Sequence, residues 1–270
     1  MNPKVWESYL LKPGAPLRLS VVSTESTDWC ADKQSARRTL RKYKKEIDEL
    51  LYRMPAQKSG PVLAIFQGTD ASGKDGVVRH VLTGLNPQYC KVTSFDLPAG
   101  EELEHDYLWR VHRAMPAYGQ LGAFNRSQYE DLLVPRVHGA LSRRAAKLKL
   151  RQIIDIERLW AENGVVIRKF FLNISPEEQA DRFKARLNDP HKQWKVKESD
   201  FVDRKLWNKF QYAYQEILLR RPAASAPWYI IPSDRKWYRD IAVAAILLAT
   251  LRKMAPRFPE PRLNRKRLEV

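Results

Sequence analysis

The sequence predicts an α/β fold of three layers, in which helices cover both faces of one five-stranded parallel sheet. Five short apolar runs alternate along the chain with longer segments of helical spacing, a pattern that is typical of parallel sheets. The first run ends at a glycine-rich motif, and a helical pattern follows it. This order is typical of a phosphate-binding loop that connects a strand to a helix. The 270 residues, 44% of them hydrophobic, are enough for one such domain with a substantial core.

The predicted strands begin, in chain order, at Val62 (VLAIF), Cys90 (CKVTSF), Gln120 (QLGAF), Val165 (VVIRKFFLNI) and Pro227 (PWYIIP). The first is a short apolar run that ends at the glycine-rich motif, which indicates a buried parallel strand. The other four are further strand-like runs. Helical patterns run from Asp28 to Pro55, from the glycine-rich motif to near Gly84, and over Glu101 to Met115, Leu141 to Asn163, Pro176 to Leu187, Phe201 to Leu219 and Asp234 to Met254.

We divide the chain into an arm (residues 1–27), a single domain (residues 28–254) and a basic tail (residues 255–270). The arm has three prolines and little periodicity, and the tail is rich in proline and basic residues. We therefore expect the arm to run over the surface of the domain and the tail to be mobile.

Several observations bear on location. The first ten residues lack the apolar run of a signal peptide. The longest apolar stretch, Ile241 to Leu251, is shorter than the ~20 residues that cross a bilayer, so we expect a buried helix and no membrane partner. Cys30 and Cys90 lie far apart and form no metal-binding pair. We therefore expect a soluble protein of the reducing cytoplasm.

The net charge of +17 predicts an anionic partner. Nucleic acid, an acidic membrane surface and a phosphate-rich small molecule or polymer all fit this charge. The charge alone does not choose between them.

The glycine-rich motif, Gly68-Thr69-Asp70-Ala71-Ser72-Gly73-Lys74, matches the pattern G-x-x-x-x-G-K. Its glycines let the backbone fold around phosphate oxygens, and the following helix adds its positive end. We predict that Gly68, Thr69, Ala71, Ser72 and Gly73 bind phosphate and that Lys74 is catalytic, since its mobile charge can reach the terminal phosphates. The alternative is an ordinary glycine turn.

Two carboxylates accompany this loop. Asp75 stands where Ser or Thr usually ligates Mg²⁺, and Asp70 lies inside the loop. A carboxylate among the loop amides would be repelled by substrate phosphates unless a divalent cation sits between them. We therefore predict that Asp70 is catalytic as a metal ligand, the alternative being turn-forming hydrogen bonds. Asp75 and Arg79 are further predicted phosphate contacts.

A second polar motif, FNRSQYED from Phe124, follows the third predicted strand. Residues at the carboxyl ends of parallel strands face the ligand crevice. Asn125 stands where such enzymes usually have an acidic metal ligand, and we predict a phosphate contact there. Arg126 is predicted to be catalytic, because it can neutralise charge on a transferred phosphoryl group. Glu130 is predicted to lie on the nucleotide or acceptor side, together with Arg136, or to be a surface carboxylate.

The lid segment (residues 182–200) is strongly basic. Between Arg182 and Lys197 it has six basic residues against one acidic residue, Asp189. A basic helix-loop-helix after the fourth strand is what a mobile lid over phosphates requires. We predict that Arg186, Lys192 and Lys195 bind phosphate, the alternative being a solvated basic face.

Taken together, these segments resemble the second family of polyphosphate kinases from about Arg37 to Leu251. The resemblance rests on the order and spacing of the blocks GTDASGKDG from Gly68, GLNPQ from Gly84, EHDYLWRVH from Glu104, FNRSQYEDLLVPRV from Phe124, FFLNISPEEQADRF from Phe170, DPHKQWK from Asp189 and WYIIPSDRKWYR from Trp228. Asn125 departs from the family, many of whose members have Asp before the arginine.

The resemblance implies Mg²⁺-dependent, reversible phosphoryl transfer between inorganic polyphosphate and adenine or guanine nucleotides, including ATP regeneration from ADP. It implies a P-loop kinase core similar to thymidylate kinase, a helical lid, Asp70 as a Mg²⁺ ligand (with Mn²⁺ as a substitute) and a homodimer or homotetramer. The departure at Asn125 leaves a second metal contact open. Whether nucleoside mono- or diphosphates are preferred also stays open.

Two rival functions remain at this point. One is an ATP-dependent nucleotide kinase on the same fold. The other is a basic nucleic-acid-binding protein with a degenerate P-loop, which would bind with a strong dependence on salt and without turnover. No nucleic-acid-binding motif is recognisable in the sequence, so we expect no nucleic-acid partner.

Overall fold

A computed structural model of the protein describes residues 5–12, 14–220 and 225–260. The last ten residues of the predicted basic tail lie outside the described residues, as do the first four of the arm. Within the described ranges, no helix combines the length and the apolar composition that crossing a membrane requires.

All five predicted strands are confirmed. They are β1 (Val62–Gln67), β2 (Cys90–Ser94), β3 (Leu121–Asn125), β4 (Val166–Asn173) and β5 (Trp228–Pro232). They form one parallel sheet in the order β2-β3-β1-β4-β5. Strand β1 is central, and its register aligns Phe66 with Asn125 of β3 and with Phe170 of β4. The carboxyl ends of the three central strands therefore meet at one edge, where the two predicted motifs begin.

The helices of the described residues are α1 (Lys33–Ala56), α2 (Lys74–Val77), α3 (Trp109–Arg113), α4 (Glu130–Val137), α5 (Arg143–Glu162), α6 (Pro176–Leu187), α7 (Glu198–Lys205), α8 (Trp207–Leu219) and α9 (Lys236–Met254). A π-helical turn, Val78–Leu82, continues α2. Ser175 caps α6, since its hydroxyl accepts a hydrogen bond from the Glu178 amide at 3.1 Å.

Helices cover both faces of the sheet, as the three-layer fold requires. The side chains of β1 alternate between two clusters: Val62, Ala64 and Phe66 pack with α1 and α9, while Leu63 and Ile65 face the opposite side. The predicted buried helix is confirmed, because α9 has nearly all of its apolar residues in the first cluster. Helices α4, α5 and α8 form a further cluster with β4 and β5.

Two helix predictions need correction, and one helix was missed. The segment from Glu101 to Met115 is not one helix: a 3₁₀ turn covers Gly100–Leu103, and α3 begins only at Trp109. Between them, the Asp106 carboxylate accepts a hydrogen bond from the Leu108 amide at 2.9 Å, and such local bonds compete with helix formation.

The predicted helix from Phe201 to Leu219 is two helices, because the chain turns at Leu206. This residue packs against the cluster of α4, α5 and α8, and the turn allows α8 to bury its own apolar face.

Helix α4 was not predicted at all. It contains Pro135, and proline in a helix interior normally argues against a helix.

Candidate phosphate-binding site

The loop from Gly68 to Lys74 joins β1 to α2 and has a backbone that requires glycine. Gly73 has φ +104°, and a Cβ atom there would lie 1.8 Å from a guanidinium nitrogen of Arg239. A Cβ at Gly68 would lie 2.8 Å from the carbonyl oxygen of Leu172. Ala71 adopts a left-handed conformation with φ 59° although it has a side chain. The loop is therefore packed too tightly for larger residues at its glycines, and it holds an unusual backbone conformation.

Lys74 is buried and lies over this loop. Its Nζ donates to the carbonyl oxygen of Gly68 at 2.6 Å and to that of Thr69 at 3.2 Å. Burial lowers the pKa of Lys74, and the nearby Asp70 carboxylate opposes this shift. An anion beside the buried ammonium group would stabilise its charged form, and bound phosphate would supply that anion.

Two buried hydroxyls in the loop lack a hydrogen-bond partner among the described residues, those of Thr69 and Ser72. Buried polar groups are nearly always paired. These hydroxyls are therefore available to donate to the oxygen atoms of a ligand.

Asp70, Arg126 and Glu130 come together beside Lys74. Arg126 Nη2 lies 3.7 Å from Asp70 Oδ1, and its Nη1 donates to Asp96 Oδ1 at 2.9 Å. Although burial alone would lower the pKa of Arg126, Glu130 and Asp70 hold that pKa above its ordinary value. Asp96 had not been predicted. It lies two residues after β2, whose last residue, Ser94, pairs with Asn125 at the end of β3, so its position at the end of an adjacent strand was the available signal.

Glu130 faces this cluster and does not stand apart on the surface. Gln67 donates to Glu130 Oε1 at 3.0 Å when its amide is oriented so that its oxygen accepts from Ser127. Burial raises the pKa of Glu130, and the cationic side chains of Lys74 and Arg126 oppose the rise. Glu130 thus adds a carboxylate beside Lys74 and Arg126.

Asp75 connects the second motif with the lid segment. Asn125 Nδ2 donates to Asp75 Oδ1 at 2.9 Å, and Lys195 Nζ donates to Asp75 Oδ2 at 3.0 Å. Burial alone would raise the pKa of Asp75, but these two hydrogen bonds prevail and hold the pKa below its ordinary value. The lid segment therefore contacts the residue that directly follows the loop lysine.

The remaining lid cations differ in their surroundings. Lys192 pairs with Asp189 inside the lid, and the guanidinium of Arg186 lies 5.7 Å from the ring centre of Phe183. Lys192 is exposed and Arg186 is half-buried. Both are thus free to turn toward an anion without breaking a buried contact.

Arg182 requires a correction, because it is not a lid cation. It is 6% exposed and its Nη1 donates to the carbonyl oxygens of Ala71 and Ser72, each at 2.9 Å. Its Nη2 donates to the carbonyl oxygens of Ser233 and Asp234. The basic lid cations therefore number five, and the sixth braces the back of the phosphate loop.

We call Gln179, Arg182 and Arg239 the loop clamp, since all three contact the back of the loop. Gln179 Nε2 donates to the carbonyl oxygen of Asp70 at 2.9 Å, and Arg239 Nη1 lies 3.5 Å from that of Ser72. The clamp was missed from the sequence. The available signal was the spacing of Gln179, Arg182 and Phe183, which lie on one buried face of α6.

Two predicted residues lie outside this set of contacts. Arg79 is exposed on the π-helical turn after α2. Arg136 on α4 pairs with Glu216 of α8, and its guanidinium lies 5.8 Å from the ring centre of Tyr212. Their assigned roles stay predictions.

The donor set around Asp70 suits a cation that is shared with substrate. The described residues contain no group of three or more His, Cys, Asp or Glu side chains that could hold a metal ion alone. Mg²⁺ usually binds through one or two carboxylates, waters and substrate phosphates. Asp70, partly exposed beside the phosphate loop, fits that pattern.

A parallel sheet with a phosphate loop, a converging arginine and a basic lid defines a P-loop phosphotransferase. The model of the family Polyphosphate kinase 2 matches residues 30–259, so the chain belongs to this family. The predicted resemblance and fold class are thereby confirmed. A divalent metal requirement is general to such phosphotransferases.

Relatives of known activity match most of the chain. It is 37% identical over 265 residues to an AMP/ADP-polyphosphate phosphotransferase of Meiothermus ruber, covering 98% of this chain and 99% of the relative. It is 39% identical over 227 residues to an ADP-polyphosphate phosphotransferase of Rhodopseudomonas palustris, covering 80% and 78%. The crystal structure of polyphosphate kinase 2 from Arthrobacter aurescens TC1 matches with a TM-score of 0.91 and 34% identity, covering 98% of this chain and 94% of that one.

Proposed function

We propose that this protein transfers phosphoryl groups reversibly between inorganic polyphosphate and nucleoside mono- and diphosphates, including ADP to ATP. The observation that carries the proposal is the convergence of Lys74, Arg126 and Lys195 on Asp70 and Asp75 at the carboxyl end of the central strands. The near-complete match to the Meiothermus ruber AMP/ADP-polyphosphate phosphotransferase supports it.

The chemistry requires charge neutralisation and positioning. A terminal phosphate oxygen of the nucleotide attacks the end phosphorus of polyphosphate, forming one P–O bond while the bond to the rest of the chain breaks. The attacking oxygen is already ionised at neutral pH, so no side chain has to remove a proton. Lys74 and Arg126 stabilise the negative charge that is shared among the oxygens in transit.

We propose Mg²⁺ as the metal, held by Asp70 together with substrate oxygens, with Mn²⁺ as a substitute. When bound, the ion neutralises phosphate charge beside the loop. Asn125 donates its amide to Asp75, so its side chain orients that carboxylate, while its Oδ1 atom accepts no hydrogen bond from the described residues.

The cations of the lid segment suit a polymeric phosphate. Lys192, Lys195 and Arg186 lie on one short segment, and a polyphosphate chain presents several negative charges in a row. We further propose a homodimer or homotetramer, a cytoplasmic location in keeping with two free cysteines, and no nucleic-acid partner.

One assay tests this function. The purified protein is incubated with Mg²⁺, long-chain polyphosphate and either AMP, ADP, GMP or GDP, with no nucleoside triphosphate present. We expect phosphorylated product with at least one adenine nucleotide. An ATP-dependent kinase would form no product from polyphosphate, and a nucleic-acid-binding protein would show salt-sensitive duplex or single-strand binding without turnover.

A further inference from the structure

A buried polar cluster joins two residues of the second motif to α5 and β4. It consists of Gln128 and Tyr129 from the loop before α4, Glu157 from α5 and Lys169 from β4, each at most 1% exposed. Glu157 Oε1 accepts from Gln128 Nε2 at 3.0 Å and from the Tyr129 hydroxyl at 2.8 Å. Glu157 Oε2 pairs with Lys169. Three donors from two other elements thus meet on one carboxylate.

Stability alone does not account for such a cluster. Burying two charges is costly, and well-packed apolar side chains in place of a buried ion pair are often equally or more stable. Such a cluster does, however, hold the groups around it in one arrangement, because its members are also bonded to one another: Lys169 Nζ donates to the Tyr129 hydroxyl at 3.1 Å as well as pairing with Glu157. Burial raises the pKa of Tyr129 well above its ordinary value, so its hydroxyl remains a donor to Glu157.

The loop that Glu157 holds is the loop that presents the charged groups of the site. Gln128 and Tyr129 lie between Arg126 and Glu130 in the chain. Arg126 itself has a left-handed backbone with φ 65°, a conformation that non-glycine residues rarely adopt without support. Its amide donates to the carbonyl oxygen of Phe66 at 3.1 Å. The loop is therefore tied to β1 at one end and to α5 at the other.

We propose that Glu157 is a positioning residue for phosphoryl transfer: through Gln128 and Tyr129 it holds Arg126 in register with the phosphate loop. The expected effect of Glu157 on kcat rests on the proposed function. Its effect on the position of the loop rests on the cluster geometry alone. Glu157 acts through the loop and has no contact with substrate.

The main test uses Glu157→Gln with Ile153→Ala as the matched control. Ile153 is a buried residue one turn earlier on the same face of α5, so its truncation loosens the helix without removing the carboxylate. We expect kcat to fall about tenfold or more in Glu157→Gln, since misplacement by about 1 Å can cost up to 100-fold. The KM values for polyphosphate and nucleotide should change less than threefold. Ile153→Ala should lower the melting temperature while keeping kcat within about twofold.

Tyr129→Phe provides a milder second variant if Glu157→Gln does not fold. It removes one of the three donors and keeps the ring, so we expect a loss in kcat of a few fold. A loss of kcat in Ile153→Ala equal to that in Glu157→Gln would overturn the proposal, because general loosening of α5 would then explain both. Unchanged kcat in Glu157→Gln or in Tyr129→Phe would also overturn it.

Hydrogen exchange separates this proposal from the proposed function, because it needs no substrate. In Glu157→Gln or Tyr129→Phe, the amides of residues 126–130 should exchange at least tenfold faster, while the amides of the phosphate loop exchange at a rate near that of wild type. In Ile153→Ala, the amides of residues 126–130 should also exchange at a rate near that of wild type. Unchanged exchange at residues 126–130 would refute the positioning role even if phosphoryl transfer is confirmed. Faster exchange without any transfer activity in the wild type would support the positioning role and contradict the function.

Discussion

Replacing Arg182 with methionine should destabilise the protein by removing the brace behind the phosphate loop. The guanidinium is buried and donates to backbone carbonyl oxygens of Ala71, Ser72, Ser233 and Asp234. Methionine fills a similar volume but donates nothing, so all four oxygens lose a donor away from water.

The magnitude follows from these contacts. Hydrogen bonds from a charged donor contribute about 1.5–3 kcal/mol each, but not additively. Losing one partner of a buried charged network typically costs about 3–5 kcal/mol. We take this range for Arg182→Met. For a chain of this size it corresponds to a fall in melting temperature of roughly 6–20 °C.

Thermal and urea unfolding, followed by circular dichroism, measure this loss. The control is Lys184→Met on the same helix, where the Lys184 side chain is 73% exposed and pairs with the exposed Asp181. That change should stay within about 0.5 kcal/mol of wild type. If Arg182→Met were as stable as Lys184→Met, the four bonds to the loop and to the residues after β5 would contribute no net stability, which would contradict the proposed bracing role of Arg182.

Three further predictions concern the charged groups of the site. Lys195→Ala should raise the apparent KM for long polyphosphate more than Lys192→Ala, because Lys195 also contacts Asp75. That exposed pair adds at most about 1 kcal/mol, or roughly fivefold in KM. Equal effects of the two substitutions would contradict a role of Lys195 in closing the lid. Asp70→Asn should raise the Mg²⁺ concentration at half-maximal rate, and an unchanged Mg²⁺ titration would return Asp70 to turn formation. Burial raises the pKa of Glu130 in the folded chain. The free energy of unfolding should therefore fall as pH rises from the pKa of Glu130 in the unfolded chain to its pKa in the folded chain, and Glu130→Gln should remove that dependence. If the free energy of unfolding of Glu130→Gln depended on pH as that of wild type does, the raised pKa of Glu130 would be wrong.

The sheet could be predicted because local pattern decides it. Most strands are short apolar runs with turn residues around them, and strand β1 ends at Gln67, directly before the turn that the motif requires at Gly68. Local pattern failed where a single side chain changed the outcome. Asp106 accepts a backbone amide and interrupts a segment with helical spacing, and Pro135 lies within α4 although proline usually ends a helix.

The phosphate loop and the arginine of the second motif could be predicted because spacing within one segment identifies them. The loop clamp could not, because Arg182 and Ala71 are 111 positions apart. Whether a basic residue of α6 points to solvent or to the loop depends on how that helix packs against the loop. Glu157 was missed for the same reason, since its partners come from β4 and from the loop before α4.

We propose that the loop lysine, Lys74, stabilises phosphate charge during transfer from polyphosphate. The most direct test follows ATP formation from ADP, polyphosphate and Mg²⁺ in wild type, Lys74→Met and Lys91→Met, the last being a lysine on the exposed edge strand β2. We expect Lys74→Met to fold and to lose about 100-fold or more in kcat, while Lys91→Met stays within about twofold of wild type, as surface changes usually do. A folded Lys74→Met protein that forms ATP at the wild-type rate would contradict the account.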